Sequence, residues 1–204
     1  MLEHIPGWLG RSLSGVRAGV DKLAIVELGA GVPELELMSP AFRNGGRLPP
    51  RFTADGVGVS PPLVWTVPPA GTAMLALLVE DADAPAPQPL VHAVVWGLAA
   101  DAGRLEEGAI AADGDGFKGT DVGRNSYLRE GWLAPDPPTG HGDHRYAFQL
   151  FALGAGAPDP GGSPGRAALV AAMRYHVLAA GLLVGIYARG EPAAVGPVGP
   201  AVPI

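Results

Sequence analysis

The chain has 204 residues, 48% of them apolar and 17% charged, with a formal net charge of -6 and no cysteine. That length supports one substantial core. The missing cysteines exclude disulfides, thiolate nucleophiles and Cys-bearing zinc sites, and the acidic balance argues against nucleic acid, which would want a basic stripe.

Apolar residues from Leu2 to Leu23, among them Leu9, Leu13, Val16 and Val20, recur at steps of three and four. That spacing is helical, although Gly10, Gly15 and Gly19 weaken it. Segment 1–30 is therefore expected to be a short helical N-terminal extension, packed on the domain or joining two copies as a homodimer. Glu3 and the lack of a long apolar run fit neither a signal peptide nor a membrane span, so a cytoplasmic location is expected. The body of the chain, 31–190, alternates apolar runs with turn material. Strands are predicted over 23–28, 35–38, 63–66, 73–79, 91–98 and 145–153, set apart by clusters such as Asn44-Gly45-Gly46 and Pro68-Pro69-Ala70-Gly71. The stretch 108–140, rich in Gly, Asp and Pro, reads as a long functional loop. Ser163 and Pro164 then open a helix as N-cap and first residue. Leu169, Met173 and Val177 form its buried stripe, and Gly181 ends it. A final strand is predicted over 182–188, and 191–204 reads as a flexible tail. Many strands with one late helix make the fold mainly β, a two-sheet antiparallel β-sandwich, with α+β as the alternative.

Three polar residues stand at the ends of these strands. Side chains alternate along a strand, so i and i+2 share a face. Asp81 continues the row of Leu75, Leu77 and Val79. His92 shares parity with Val94, Trp96 and Leu98, and His144 with Tyr146, Phe148 and Leu150. If those rows face one core, a carboxylate and two imidazoles converge at one end of the sandwich. Protonated imidazoles attract phosphate or carboxylate groups, and an acid beside them raises their affinity for the proton. A lone His on an apolar face is more often a satisfied core residue. The spacing His141 to His144 also suggests a metal, a weaker reading without further ligands.

The flanking residues sharpen this. Asp81-Ala82-Asp83-Ala84-Pro85 is followed by His92. Later comes Pro137-Pro138-Thr139-Gly140-His141-Gly142-Asp143-His144-Arg145-Tyr146. The two stretches resemble the signature regions of the phosphatidylethanolamine-binding protein family, closest to its bacterial, Raf-kinase-inhibitor-like branch. Ser39-Pro40-Ala41-Phe42, Arg51-Phe52-Thr53, Ser60-Pro61-Pro62 and the closing Leu183-Val184-Gly185 support the resemblance, which spans 37–189. It implies a β-sandwich with a C-terminal helix and a pocket for phosphate-type head groups. By motif position, Asp81, His92 and His144 line that pocket, Tyr146 forms part of its wall, Pro85 and Pro138 shape its mouth, and Asp83 supports the turn. Ala82 departs from the family pattern, which has Pro there, and Gly131–Asp136 replaces a smaller Gly-rich stretch.

The function expected is non-catalytic binding of a small anionic ligand, a phosphate or phospholipid head group, with no cofactor and no metal. The alternative is a kinase or protease inhibitor working through a protein surface, with Trp132 in the 108–140 loop as its candidate contact. A hydrolase ranks last, because no nucleophile is recognisable.

Overall fold

The computed structural model describes residues 12–113 and 121–190. The helix expected before residue 12 and the tail after 190 lie outside them. Among the described residues nine strands form two sheets. They are β1 (Leu37–Met38), β2 (Gly46–Arg47), β3 (Leu63–Trp65), β4 (Thr72–Asp81), β5 (Leu90–Leu98), β6 (Gly103–Leu105), β7 (Asp121–Val122), β8 (His144–Gly154) and β9 (Val177–Tyr187). The large sheet has the order β2-β9-β8-β4-β5-β7 and the small one β1-β3-β6. Every pairing is antiparallel except the edge pair β2 and β9, which is parallel and departs from a purely antiparallel sandwich.

Alternation explains the layers. Strand β4 sends Leu75, Leu77 and Val79 toward the small sheet, where they meet Leu63 and Trp65. Its Ala76 and Leu78 face the other way, onto Leu169 and Met173 of the helix Arg166–Met173 and Ala24 of the short helix Ala24–Leu28. The large sheet is thus covered on both faces, which is why its central strands read as unbroken apolar runs. Each fully buried leucine in them contributes about 2 kcal/mol.

Three expectations fail for local reasons. Residues 24–28 are helical, not a strand. The late helix starts after Gly165 and stops at Met173, so Ser163 does not cap it. The chain turns at Tyr175, in the left-handed region at φ 68°, and Val177 already belongs to β9. Gly181 sits inside that strand, where a Cβ would lie 2.3 Å from the Leu35 carbonyl oxygen. Its glycine serves a close backbone approach, which mimics a helix stop in the sequence.

The N-terminal segment packs on its own domain. Ala18 and Gly19 N–H groups donate to the Ala84 and Ala82 carbonyls at 2.9 and 2.8 Å. Arg17 donates to the Asp143 carbonyl at 2.7 Å and pairs with Asp83 at 2.8 Å. This segment therefore braces the turn that follows β4.

Candidate functional site

Strand β4 ends at Asp81, β8 begins at His144, and the register sets Asp81 opposite Tyr146. These antiparallel neighbours carry Asp81 and His144 to the same sheet end, and their side chains meet: His144 Nδ1 lies 2.7 Å from Asp81 Oδ2. The other Asp81 oxygen accepts the Asp83 N–H at 2.8 Å, closing the turn.

His92 arrives by a different route from the one parity predicts. Val94 and Trp96, which share its parity, face the helices. The β4–β5 register slips, pairing Val79 with Ala93 but Glu80 with Val91. His92 is the extra residue of that bulge, and the bulge rotates its ring to the inter-sheet side. There it stacks edge-on against Tyr146, with centroids 5.0 Å apart.

The three side chains line one cavity of about 170 Å³, with Pro85, Pro138, Tyr127 and Asp136 around it. Tyr146 lies beneath the imidazoles, 5.0 Å from the His92 ring and 6.3 Å from the His144 ring, and is not among the lining residues. Asp83 points away from the cavity. It takes the Arg145 side chain at 2.6 and 2.7 Å and the Arg145 N–H at 2.8 Å. Burial alone would push this carboxyl up, but the Arg145 and Arg17 hydrogen bonds outweigh it and hold it at about 2.

His141, weighed from sequence only as a metal ligand, extends the site. Its Nδ1 lies 2.7 Å from His144 Nε2, and its Nε2 lies 2.8 Å from the Leu13 carbonyl. The three contacts from Leu13 to Asp81 each need one proton. Two neutral imidazoles bring two, and a third makes every contact a hydrogen bond. Burial, then His144, push His141 below its ordinary value.

His92 behaves oppositely to the sequence expectation of a protonated imidazole. Its Nδ1 donates to the Leu133 carbonyl at 2.6 Å, and the Leu133 N–H donates back to the His92 carbonyl at 2.8 Å. Burial pushes its proton affinity below the ordinary 6.5, and the nearby Asp81 only partly offsets this. Its Nε2 is buried without a hydrogen-bond partner. The unfolded chain therefore binds more protons than the native one below pH 6.5. Stability is expected to be full above that value and to fall as the pH drops beneath it. A His92→Leu variant should flatten part of this limb when urea midpoints are compared between pH 7.5 and 5.5.

Trp132, the expected surface contact, is instead turned inward. Its indole N–H donates to the Phe52 carbonyl at 3.1 Å and its ring stacks on Phe148 at 5.9 Å. It supports His92 from behind, with ring centroids 6.0 Å apart. Asp136 closes the Gly131–Asp136 stretch in which the sequence departs from the family pattern, and it stands at the mouth as an acid. Leu133 has no such signal for its backbone role, because its place depends on how 124–138 threads past β5. Asp136 is held by Arg189, whose guanidinium also bonds Asp55 and the Pro137 carbonyl.

Comparison with known proteins agrees with this fold. A family model described as phosphatidylethanolamine-binding protein matches residues 38–188. A UPF0098 protein of Methanothermobacter thermautotrophicus is 38% identical over 157 residues, covering 76% of this chain and all of its own. Among solved structures, Escherichia coli YbcL, a new member of the mammalian PEBP family, superposes with a TM-score of 0.70 at 25% identity, covering 76% of this chain and 98% of its own. The PEBP homolog CT736 of Chlamydia trachomatis gives 0.66 at 31% identity, covering 76% and 97%. No helix among the described residues is long and apolar enough to cross a membrane.

Proposed function

Because this chain belongs to the phosphatidylethanolamine-binding protein family, we propose that it binds, without turning it over, a small ligand with a phosphate-type group between Asp81, His92 and His144. The observation that carries the reading is the buried, unpartnered His92 Nε2 on a cavity shared with the Asp81–His144 pair. A buried polar atom without a partner costs about 1–3 kcal/mol, which a bound ligand group can relieve.

Size limits the guest. At about 170 Å³ the cavity has room for a head group and none for acyl chains. Sites for drug-sized ligands run to roughly 300–1,000 Å³. Chemistry limits turnover. Among the described residues no Ser, Thr, Cys or Lys lines the cavity, and both nitrogens of His144 are engaged within the protein. Protein inhibition loses its sequence-based contact, since Trp132 is packed against the core.

The test is an NMR titration of imidazole signals with phosphate and with phosphoethanolamine. His92 and His144 should shift in a saturable way while His176, beyond the helix Arg166–Met173, stays fixed. His92→Leu should weaken binding by roughly tenfold or more, the cost of one lost charge-assisted hydrogen bond. Stationary His92 and His144 signals at saturating ligand would remove the reading.

A further inference from the structure

We infer that the cavity selects its oxyanion in the singly protonated state, as a guest that is both a monoanion and an O–H donor: phosphate or a phosphomonoester carrying one proton. The inference rests on the proposed anion-binding reading and narrows its ligand.

Hydrogen-bond polarity carries the argument. The Leu133 carbonyl can only accept, so His92 Nδ1 carries the ring proton. In the neutral ring Nε2 then presents a lone pair, and this atom has no partner in the protein. His144 cannot compensate, because one nitrogen faces Asp81 and the other His141. Both Asp81 oxygens already accept, from the Asp83 N–H and from His144.

The charges around the cavity point the same way. Groups facing His92 are Asp81 from the end of β4, His144 and Tyr146 from β8, and Trp132 and Leu133 from the segment before β8. Farther out, Asp136 shares the one Arg189 guanidinium with Asp55. Asp81 meets His144 Nδ1. The lining thus offers no cation whose charge is not already met by a carboxylate. A dianion would set its lone pairs against Nε2 and two carboxylates. A monoanion with one O–H places that proton on Nε2 and halves the repulsion. Burial disfavours the other route, in which His92 takes the proton from solvent, though the two routes give a complex of the same proton content.

Isothermal titration of the full chain with phosphate, sulfate, phosphoethanolamine and dimethyl phosphate tests this. Sulfate matches phosphate in shape but carries no proton near neutrality, and the diester has a single charge with no O–H. At pH 6, phosphate and phosphoethanolamine should bind roughly tenfold tighter than sulfate or dimethyl phosphate, since the latter two leave acceptor against acceptor. Phosphoethanolamine affinity should fall about tenfold per pH unit above its second ionisation near 6. Buffers of different ionisation enthalpy should report uptake of one proton per site at pH 8. In His92→Gln, an amide that can turn an N–H inward should erase the preference for phosphate over sulfate. Equal, pH-independent binding of phosphate and sulfate would overturn the inference and leave the anion site standing, as would equal binding of the diester. Failure of every anion to bind would remove the anion site itself.

Discussion

Replacing Asp83 with alanine should destabilise the protein by about 3–5 kcal/mol, the range for removing one member of a buried ion pair. Asp83 has no solvent exposure and accepts from three groups of Arg145 and from Arg17. Truncation strands the Arg145 N–H and leaves two guanidiniums beside an apolar gap. Both arginine side chains are partly exposed, 45% for Arg145 and 32% for Arg17, so they can turn to water and the cost belongs at the lower end. Asparagine is not a safe replacement, because its NH₂ would face a guanidinium. The pH dependence follows with its sign. This carboxyl sits at about 2 in the fold against an ordinary 3.8, so its contribution is complete above 3.8 and is lost as the pH falls toward 2. Urea midpoints at pH 7 for the wild type and Asp83→Ala would show the gap, and the gap should narrow by about 2 kcal/mol by pH 2. A second consequence is local. Arg17 keeps its bonds to the Asp143 and His141 carbonyls but loses its charge partner, so the segment carrying Leu13, the acceptor at the far end of the imidazole chain, is held less firmly. An Asp83→Ala protein of unchanged midpoint would mean the arginines hold the turn without the carboxylate.

The large sheet was legible in the sequence because its strands are buried on both faces and bounded by Gly and Pro. Strands β4, β5 and β8 start and end within two residues of the predicted limits. Two-residue strands such as β2 and β7 were not legible, since no periodicity can be read in two residues. The convergence of Asp81 and His144 followed correctly from alternation. His92 reached the same place through a bulge that alternation cannot see, so the expectation for its position was sound and the reason was not. Its protonation was misjudged because burial depends on Trp132, Leu133 and Tyr146 closing around the ring, and only the last lies in a predictable strand. The bracing of the site by residues 13–19 was equally hidden. A carbonyl acceptor such as that of Leu13 carries no sequence signal, because every residue has one.

Asparagine at position 81 should reverse one hydrogen bond of the site and cost little more than the charge. Each Asp81 oxygen accepts one hydrogen bond, from the Asp83 N–H at 2.8 Å and from His144 Nδ1 at 2.7 Å. An amide supplies one acceptor and one donor. With its oxygen toward His144, its NH₂ would face the Asp83 N–H and the turn would open. With its oxygen toward Asp83, its NH₂ donates to His144 Nδ1. His144 then carries its proton on Nε2 and donates to His141 Nδ1, whose Nε2 donates to the Leu13 carbonyl. Two neutral imidazoles satisfy every contact in that arrangement, so the second orientation should prevail. The loss expected is about 1–2 kcal/mol, the difference between hydrogen bonds to a charged group and neutral ones. In Asp81→Asn the ¹⁵N NMR signals of His141 and His144 should each show a proton on Nε2 and none on Nδ1, and the urea midpoint should fall by no more than that amount. A proton found on His144 Nδ1, or a loss of several kcal/mol, would show that the turn and the imidazoles depend on the carboxylate itself.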